Sequence, residues 1–234
     1  PDACCITDHF HVIQELTRRV DRVRIRVQNR FRKTINTLKP KKNNKTITSE
    51  ELIELEEASR YYYVLKKFNW LLASTNKKIL DVNVERRFNH RLNRYLNYSE
   101  ILAYMLNIDD ELEEAFYLRN DVTYFYDHCT YDTAKKQLEK IIIDFRSSTV
   151  AEVSPFANTL TNWKKEIINS FIIVDDKANR KMNTAIVENR NKSIKLLKHA
   201  SNGYLNWERF RNRILYTLNE DTTFYYTSIR KDGK

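Results

Sequence analysis

Two acids stand where a carboxylate could do chemistry. Asp8 closes the apolar run Ala3-Cys4-Cys5-Ile6-Thr7 and opens His9-Phe10-His11-Val12-Ile13-Gln14, where the apolar spacing turns helical. A carboxylate at such a junction can act as an oxygen ligand for a hard cation. It can equally cap the helix by accepting from the amides near Phe10 and His11. Glu188 lies in Val187-Glu188-Asn189-Arg190-Asn191-Lys192-Ser193-Ile194-Lys195-Leu196-Leu197-Lys198. At helical spacing Val187, Ile194 and Leu197 form a buried stripe, while Glu188, Lys192, Lys195 and His199 follow an adjacent face. One acid heading a row of cations suits a metal ligand beside a phosphate track, the acid holding Mg²⁺ and the cations a nucleic-acid backbone. A solvated face with a Glu188–Lys192 ion pair accounts for the pattern nearly as well.

Elements must position these groups. Ala3 to Thr7 reads as a strand. Phe10, Ile13, Leu16, Val20, Val23, Val27, Phe31, Ile35 and Leu38 recur at steps of three or four, which predicts one long helix whose other face carries the cluster from Arg18 to Lys33. Pro40 should stop it, leaving Lys39 to Ser49 as an exposed basic loop. Thr48 and Glu51 fit a capping box for a helix toward Phe68. Further helical patterns cover about Val84 to Leu96, Glu100 to Leu106 and Asp110 to Tyr126, with another from near Asp132 through Ile141-Ile142-Ile143. This aromatic-rich middle region, with Tyr61, Tyr62 and Tyr63, looks like a helical bundle whose rings are mainly core. Ser154-Pro155 starts a helix toward Phe171, and Phe171 to Val174 could be a strand or a helix end. The Glu188 helix spans about Thr184 to His199 and ends at Ser201-Asn202-Gly203. Asn206 caps the last helix, Trp207 to Leu218.

The composition agrees with a mainly helical chain, since 234 residues contain only two glycines and three prolines, too few for the turns of an all-β fold. No apolar stretch reaches membrane-spanning length and no signal-peptide pattern opens the chain, so the expected location is the cytoplasm. Cys4, Cys5 and Cys129 match neither a disulfide framework nor zinc spacing and read as reduced packing residues. A formal charge of +10 makes a polyanion the natural partner. By composition alone, a non-enzymatic helical nucleic-acid-binding protein fits.

The two end blocks carry a resemblance. Asp8-His9-Phe10-His11-Val12 resembles an Asp-Arg-Phe-His-Val strand end. Glu188-Asn189-Arg190-Asn191 through Ile194-Lys195, with Gly203-Tyr204 and Asn206-Trp207-Glu208-Arg209-Phe210-Arg211-Asn212-Arg213-Ile214, resembles Glu-Gly-x-Asn-x-x-Ile-Lys and its Gly-Tyr/Phe-x-Asn-Phe-x-x-Phe-Arg-x-Arg-Ile tail. Both belong to DDE transposases of the bacterial insertion-sequence family named after the element "L-three", and the similarity runs from Asp2 to about Leu218. His9, Asn189, Leu205 and Trp207 depart from the family's usual Arg, Gly, Arg and Phe.

The resemblance implies a ribonuclease-H-like core interrupted by a helical insertion domain. Residues 1–38 would be a strand and long helix of that core, 39–153 the insertion, and 154–234 the final part with the Glu-bearing helix and a C-terminal basic helix. Asp8 corresponds to the second catalytic acid and Glu188 to the third, both as ligands of Mg²⁺ or Mn²⁺. The first acid is expected upstream of residue 1, making this the carboxy-terminal part of a transposase, inactive alone. Lys192, Lys195, Arg209, Arg211 and Arg213 are the candidate phosphate contacts. The implied partners are insertion-sequence ends and target DNA, with homo-oligomerisation of the full-length protein. The rivals are the non-enzymatic DNA-binding protein and a degraded transposase remnant.

Overall fold

The three-four spacing that begins at Phe10 becomes a single helix, α1 (His9–Asn43), which buries Val12, Leu16, Val20, Val23, Val27 and Leu38. The computed structural model describes residues 5–175, 180–181, 185–201 and 203–218. Pro40 lies inside α1 rather than ending it. It stands one turn from the helix end, so it forfeits a single donor. The last carbonyls are instead claimed by Asn44, Lys45 and Thr46 amides, with Lys45 in the left-handed region at φ 57°. The chain turns back into α2 (Ser49–Lys67) through a complete capping box: Glu51 N donates to Thr48 Oγ1 at 3.2 Å and Thr48 N to Glu51 Oε2 at 3.1 Å. α2 packs along α1 and is followed by a 3₁₀ turn, Asn69–Ala73.

The expected helix at Val84 to Leu96 is a hairpin instead, β1 (Arg87–Asn89) against β2 (Arg94–Leu96), with Phe88 opposite Tyr95. Local side-chain chemistry overrides the helical spacing. The Asn89 carboxamide accepts from Arg91 N at 3.1 Å and Leu92 N at 3.2 Å, and Asn93 takes φ 52°. Asparagine tolerates both roles. The Phe88 and Tyr95 rings, 5.1 Å apart, add a cross-strand pair.

α3 (Tyr98–Leu106) and α4 (Asp110–His128) start at Asn97 and Asp109, whose side chains cap Glu100 N and Leu112 N. α5 (Tyr131–Ser147) follows. The single helix expected after Ser154-Pro155 is split into α6 (Phe156–Asn162) and α7 (Lys164–Asn169), because Trp163 leaves helical geometry at φ −101°, ψ 16°. β3 (Ile173–Asp175) pairs antiparallel with β4 (Arg180–Lys181). The described fold is therefore mainly helical with two small antiparallel hairpins. One apolar cluster runs from Val12 on α1 to Phe171, with Phe125, Phe145 and Phe156 at its centre. Among the described residues no helix is long and apolar enough to cross a membrane.

The strand expected at Ala3 to Thr7 is not formed where it can be seen: Cys5 to Asp8 is irregular, and residues 1–4 lie outside the described residues. This segment is tied to α7 rather than to a neighbouring strand. Thr7 N donates to Glu166 O at 3.2 Å and Asn169 Nδ2 to Cys5 O at 2.9 Å. Cys5 and Cys129 are free thiols.

The chain divides into two compact units, Pro1–Met182 and Asn183–Lys234. The second is a helical hairpin of α8 (Ala185–Ala200) and α9 (Trp207–Leu218). Gly203 makes the exit from α8 at φ 92°, its N–H donating to Lys198 O at 3.0 Å. Asn206 Oδ1 then caps α9 by accepting from Arg209 N at 3.0 Å. Tyr204 stacks on Phe210, their centroids 4.8 Å apart. The buried stripe expected on α8 is only half-buried at Ile194 and Leu197, and the Val187 side chain lies outside the described residues.

Candidate active site

In the first unit, Asp8 is the N-cap of α1. Its Oδ1 accepts from Phe10 N at 2.8 Å, and its backbone stays extended at φ −68°, ψ 127°. The side chain is 12% exposed, with His9 Nδ1 at 3.5 Å. The His9 ring lies 5.7 Å from that of Tyr126 on α4, which stacks in turn on Phe171. Burial, and then the negative charge of Asp8, push the Tyr126 phenol above its ordinary range. Lys181 closes the cluster from β4. Its ammonium donates to Tyr126 O at 2.9 Å and Cys129 O at 3.2 Å and sits 4.5 Å from the Phe171 ring centroid.

Three buried polar atoms at this end of α1, Thr7 Oγ1, Tyr126 OH and Glu166 Oε2, have no protein partner. Such atoms are where an ion, water or substrate oxygen finds contacts. Sequence reasoning missed Tyr126, Glu166 and Lys181. No local signal marks them, because packing of α4, α7 and β4 around Asp8 is what collects them.

In the second unit, Glu188 stands exposed in the first turn of α8. Both acids thus occupy the positive end of a helix dipole, where an anion is favoured. Lys192 and Lys195 are exposed, and neither pairs with a described carboxylate. Lys195 converges with Lys198 and His199 on a basic groove of about 390 Å³ beside Gly203. Lys198, three residues after Lys195, was absent from the expected contacts although the helical spacing points to it. On α9, Arg209, Arg211 and Arg213 are exposed. Arg209 and Arg213, four apart, share a face, whereas Arg211 lies roughly 200° around the helix. The structure therefore does not bring all three together.

Asp8 belongs to the first compact unit and the other expected site residues to the second. Carboxylate oxygens are the hard donors that Mg²⁺ and Mn²⁺ take. Among the described residues no three His, Cys, Asp or Glu side chains are grouped closely enough to hold a metal ion. The donor chemistry fits a divalent ion.

Comparison with curated proteins and with solved structures finds no match. A transposase family model, that of the ISL3-type DDE transposases, matches residues 1–214. That span takes in both acids and the basic positions of α8 and α9. With all but the last 20 residues of the chain's 234 matched, the protein belongs to the DDE transposase family.

Proposed function

We propose that Asp8 and Glu188 are the second and third acids of a DDE site that hydrolyses a phosphodiester at an insertion-sequence end and joins the freed 3′ end to target DNA. The observation that carries this is the family match across residues 1–214, which spans both motif blocks. The position of each acid at the head of a helix supports it. Asp8 and Glu188 would hold Mg²⁺ or Mn²⁺ through carboxylate oxygens. When bound, such ions supply Lewis-acid stabilisation of the attacking and leaving oxygens. Lys192, Lys195, Arg209, Arg211 and Arg213 bind backbone phosphates and fix the strand, work that is positional rather than covalent.

In this reading the site belongs to a ribonuclease-H-like core, with residues 39–153 as its helical insertion and 1–38 and 154–234 as core segments. The transposase acts as a homo-oligomer on DNA in the cytoplasm. Mn²⁺ titration calorimetry in the presence of an element-end oligonucleotide tests the ligand assignment. Asp8→Asn and Glu188→Gln each weaken Mn²⁺ binding at least about tenfold, a loss of about 1.4 kcal/mol, with helicity unchanged. Wild-type Mn²⁺ affinity in both variants would refute it.

A further inference from the structure

The cations of α1 fall into two groups. Up to Arg30 all of them but the exposed Arg22 are neutralised within the fold. Arg18 and Arg19 pair with Glu15, Arg24 with Asp21, Arg26 with Glu111 and Glu152, and Arg30 with Asp109. From Arg32 onward only Lys41 has a carboxylate partner among the described residues, Glu51. Arg32, Lys39 and Lys42 are exposed and have no carboxylate partner among the described residues. The same holds for Lys66 and Lys67 at the end of α2, and for Arg87 and Arg91 on the hairpin.

Five of these cations, Arg32, Lys66, Lys67, Arg87 and Arg91, border a depression made of two adjoining parts. A groove of about 590 Å³ runs between α1 and α2 past Arg32, Tyr62 and Lys66. It opens, at Tyr63, Lys67 and Arg91, into a pocket of about 740 Å³ between α2, the hairpin and α3. Phe68, Phe88 and Tyr98 line the pocket, the last two each 40% exposed, beside a single carboxylate, Glu85. Lys67 lies 5.4 Å from the Tyr63 ring centroid and Arg91 5.9 Å from it, so charge and ring face are presented together.

Uncompensated cations select a polyanion, and the rings select one that carries planar bases. A duplex keeps its bases stacked inside and leaves such rings unused, whereas an unpaired strand turns them outward, onto aromatic platforms flanked by cations. We propose that this depression binds an unpaired segment of DNA, with phosphates along Arg32, Lys66, Lys67, Arg87 and Arg91 and one base against Phe88 and Tyr98. The proposal rests on DNA being the substrate and adds a surface separate from that of α8 and α9.

The test uses the full chain in EDTA, a short single strand carrying 2-aminopurine and the matched duplex. The single strand binds more tightly than the duplex and its fluorescence is quenched. Phe88→Ala weakens single-strand binding roughly 5- to 150-fold and removes the quench, and Phe88→Tyr restores both. Arg87→Ala with Arg91→Ala flattens the log–log salt slope by about 1.4. Lys192→Ala with Lys195→Ala leaves the quench intact. Equal affinity for the duplex without quenching, or wild-type binding by a folded Phe88→Ala protein, would overturn the groove. If DNA binding persists but is lost only in the Lys192/Lys195 variant, the groove fails and the substrate assignment stands. Absence of any DNA binding sinks both.

Discussion

Replacing Asp8 by alanine and by asparagine separates its structural duty from the chemical one proposed for it. Asp8 Oδ1 accepts the Phe10 amide at 2.8 Å and so caps α1. Alanine removes the acceptor at a cost of about 1 kcal/mol. For a chain of this length that is a fall in Tm of about 2–4 °C. Asparagine keeps an acceptor at the same reach and loses the favourable charge at the helix end, about 0.3–0.5 kcal/mol, or about 1–2 °C. The Asp8–His9 contact adds little to either figure, since the histidine side chain is 58% exposed. Mn²⁺ binding behaves differently, because it needs the carboxylate charge: both variants lose it to the same extent. Calorimetric melting and Mn²⁺ titration on the same preparations read the two duties separately. Equal destabilisation by both substitutions would refute the cap, and retention of Mn²⁺ affinity by Asp8→Asn would refute the ligand role.

Three further outcomes are expected. Hydrogen bonding from Arg26, at 2.7 Å and 3.2 Å, holds the Glu152 carboxyl below its ordinary value of 4.5. Its contribution is therefore fully present above pH 4.5 and lost as the pH falls through the lowered value. Discounted for the exposure of Arg26, Glu152→Gln costs about 1 kcal/mol at pH 7, and urea midpoints of mutant and wild type converge in acid; a constant gap would contradict the pair. Leu16 is fully buried in the α1 core, so Leu16→Ala costs about 2–5 kcal/mol. Leu196, 61% exposed, costs under about 0.5 kcal/mol on the same change, and denaturant titration compares them. Lys192→Ala with Lys195→Ala flattens the salt slope of duplex binding by about 2 without altering sequence preference, and an unchanged slope would return these lysines to a solvated face.

What was legible in the sequence was local. The Thr48/Glu51 box, the Gly203 exit and the Asn206 cap each depend on residues within one turn of each other, and all three form as their spacing predicts. The hairpin at Arg87 to Leu96 was hidden because its turn is made by side-chain acceptance at Asn89 and a left-handed Asn93, inside an apolar spacing that also fits a helix. The basic face of α1 was harder to read for a different reason. Arg26 and Arg30 find Glu152 and Asp109, 126 and 79 residues away, so no local pattern separates neutralised from free cations. The same holds for the Asp8 cluster, where Tyr126 and Glu166 arrive only through packing.

α1 also has a metrical consequence. A helix rises about 1.5 Å per residue, so Asp8 at its head stands about 36 Å from Arg32 and about 46 Å from Lys39 along one rigid rod. A turn of B-form duplex is about 34–36 Å long. The rod therefore spans between one and one and a third turns, or about 11 to 14 base pairs at 3.4 Å each. Because one apolar core clamps α1 from Val12 to Val27, that interval is fixed by the fold. On the ligand role proposed for Asp8, that fixed interval sets the distance between the chemistry and the strand the groove is proposed to hold.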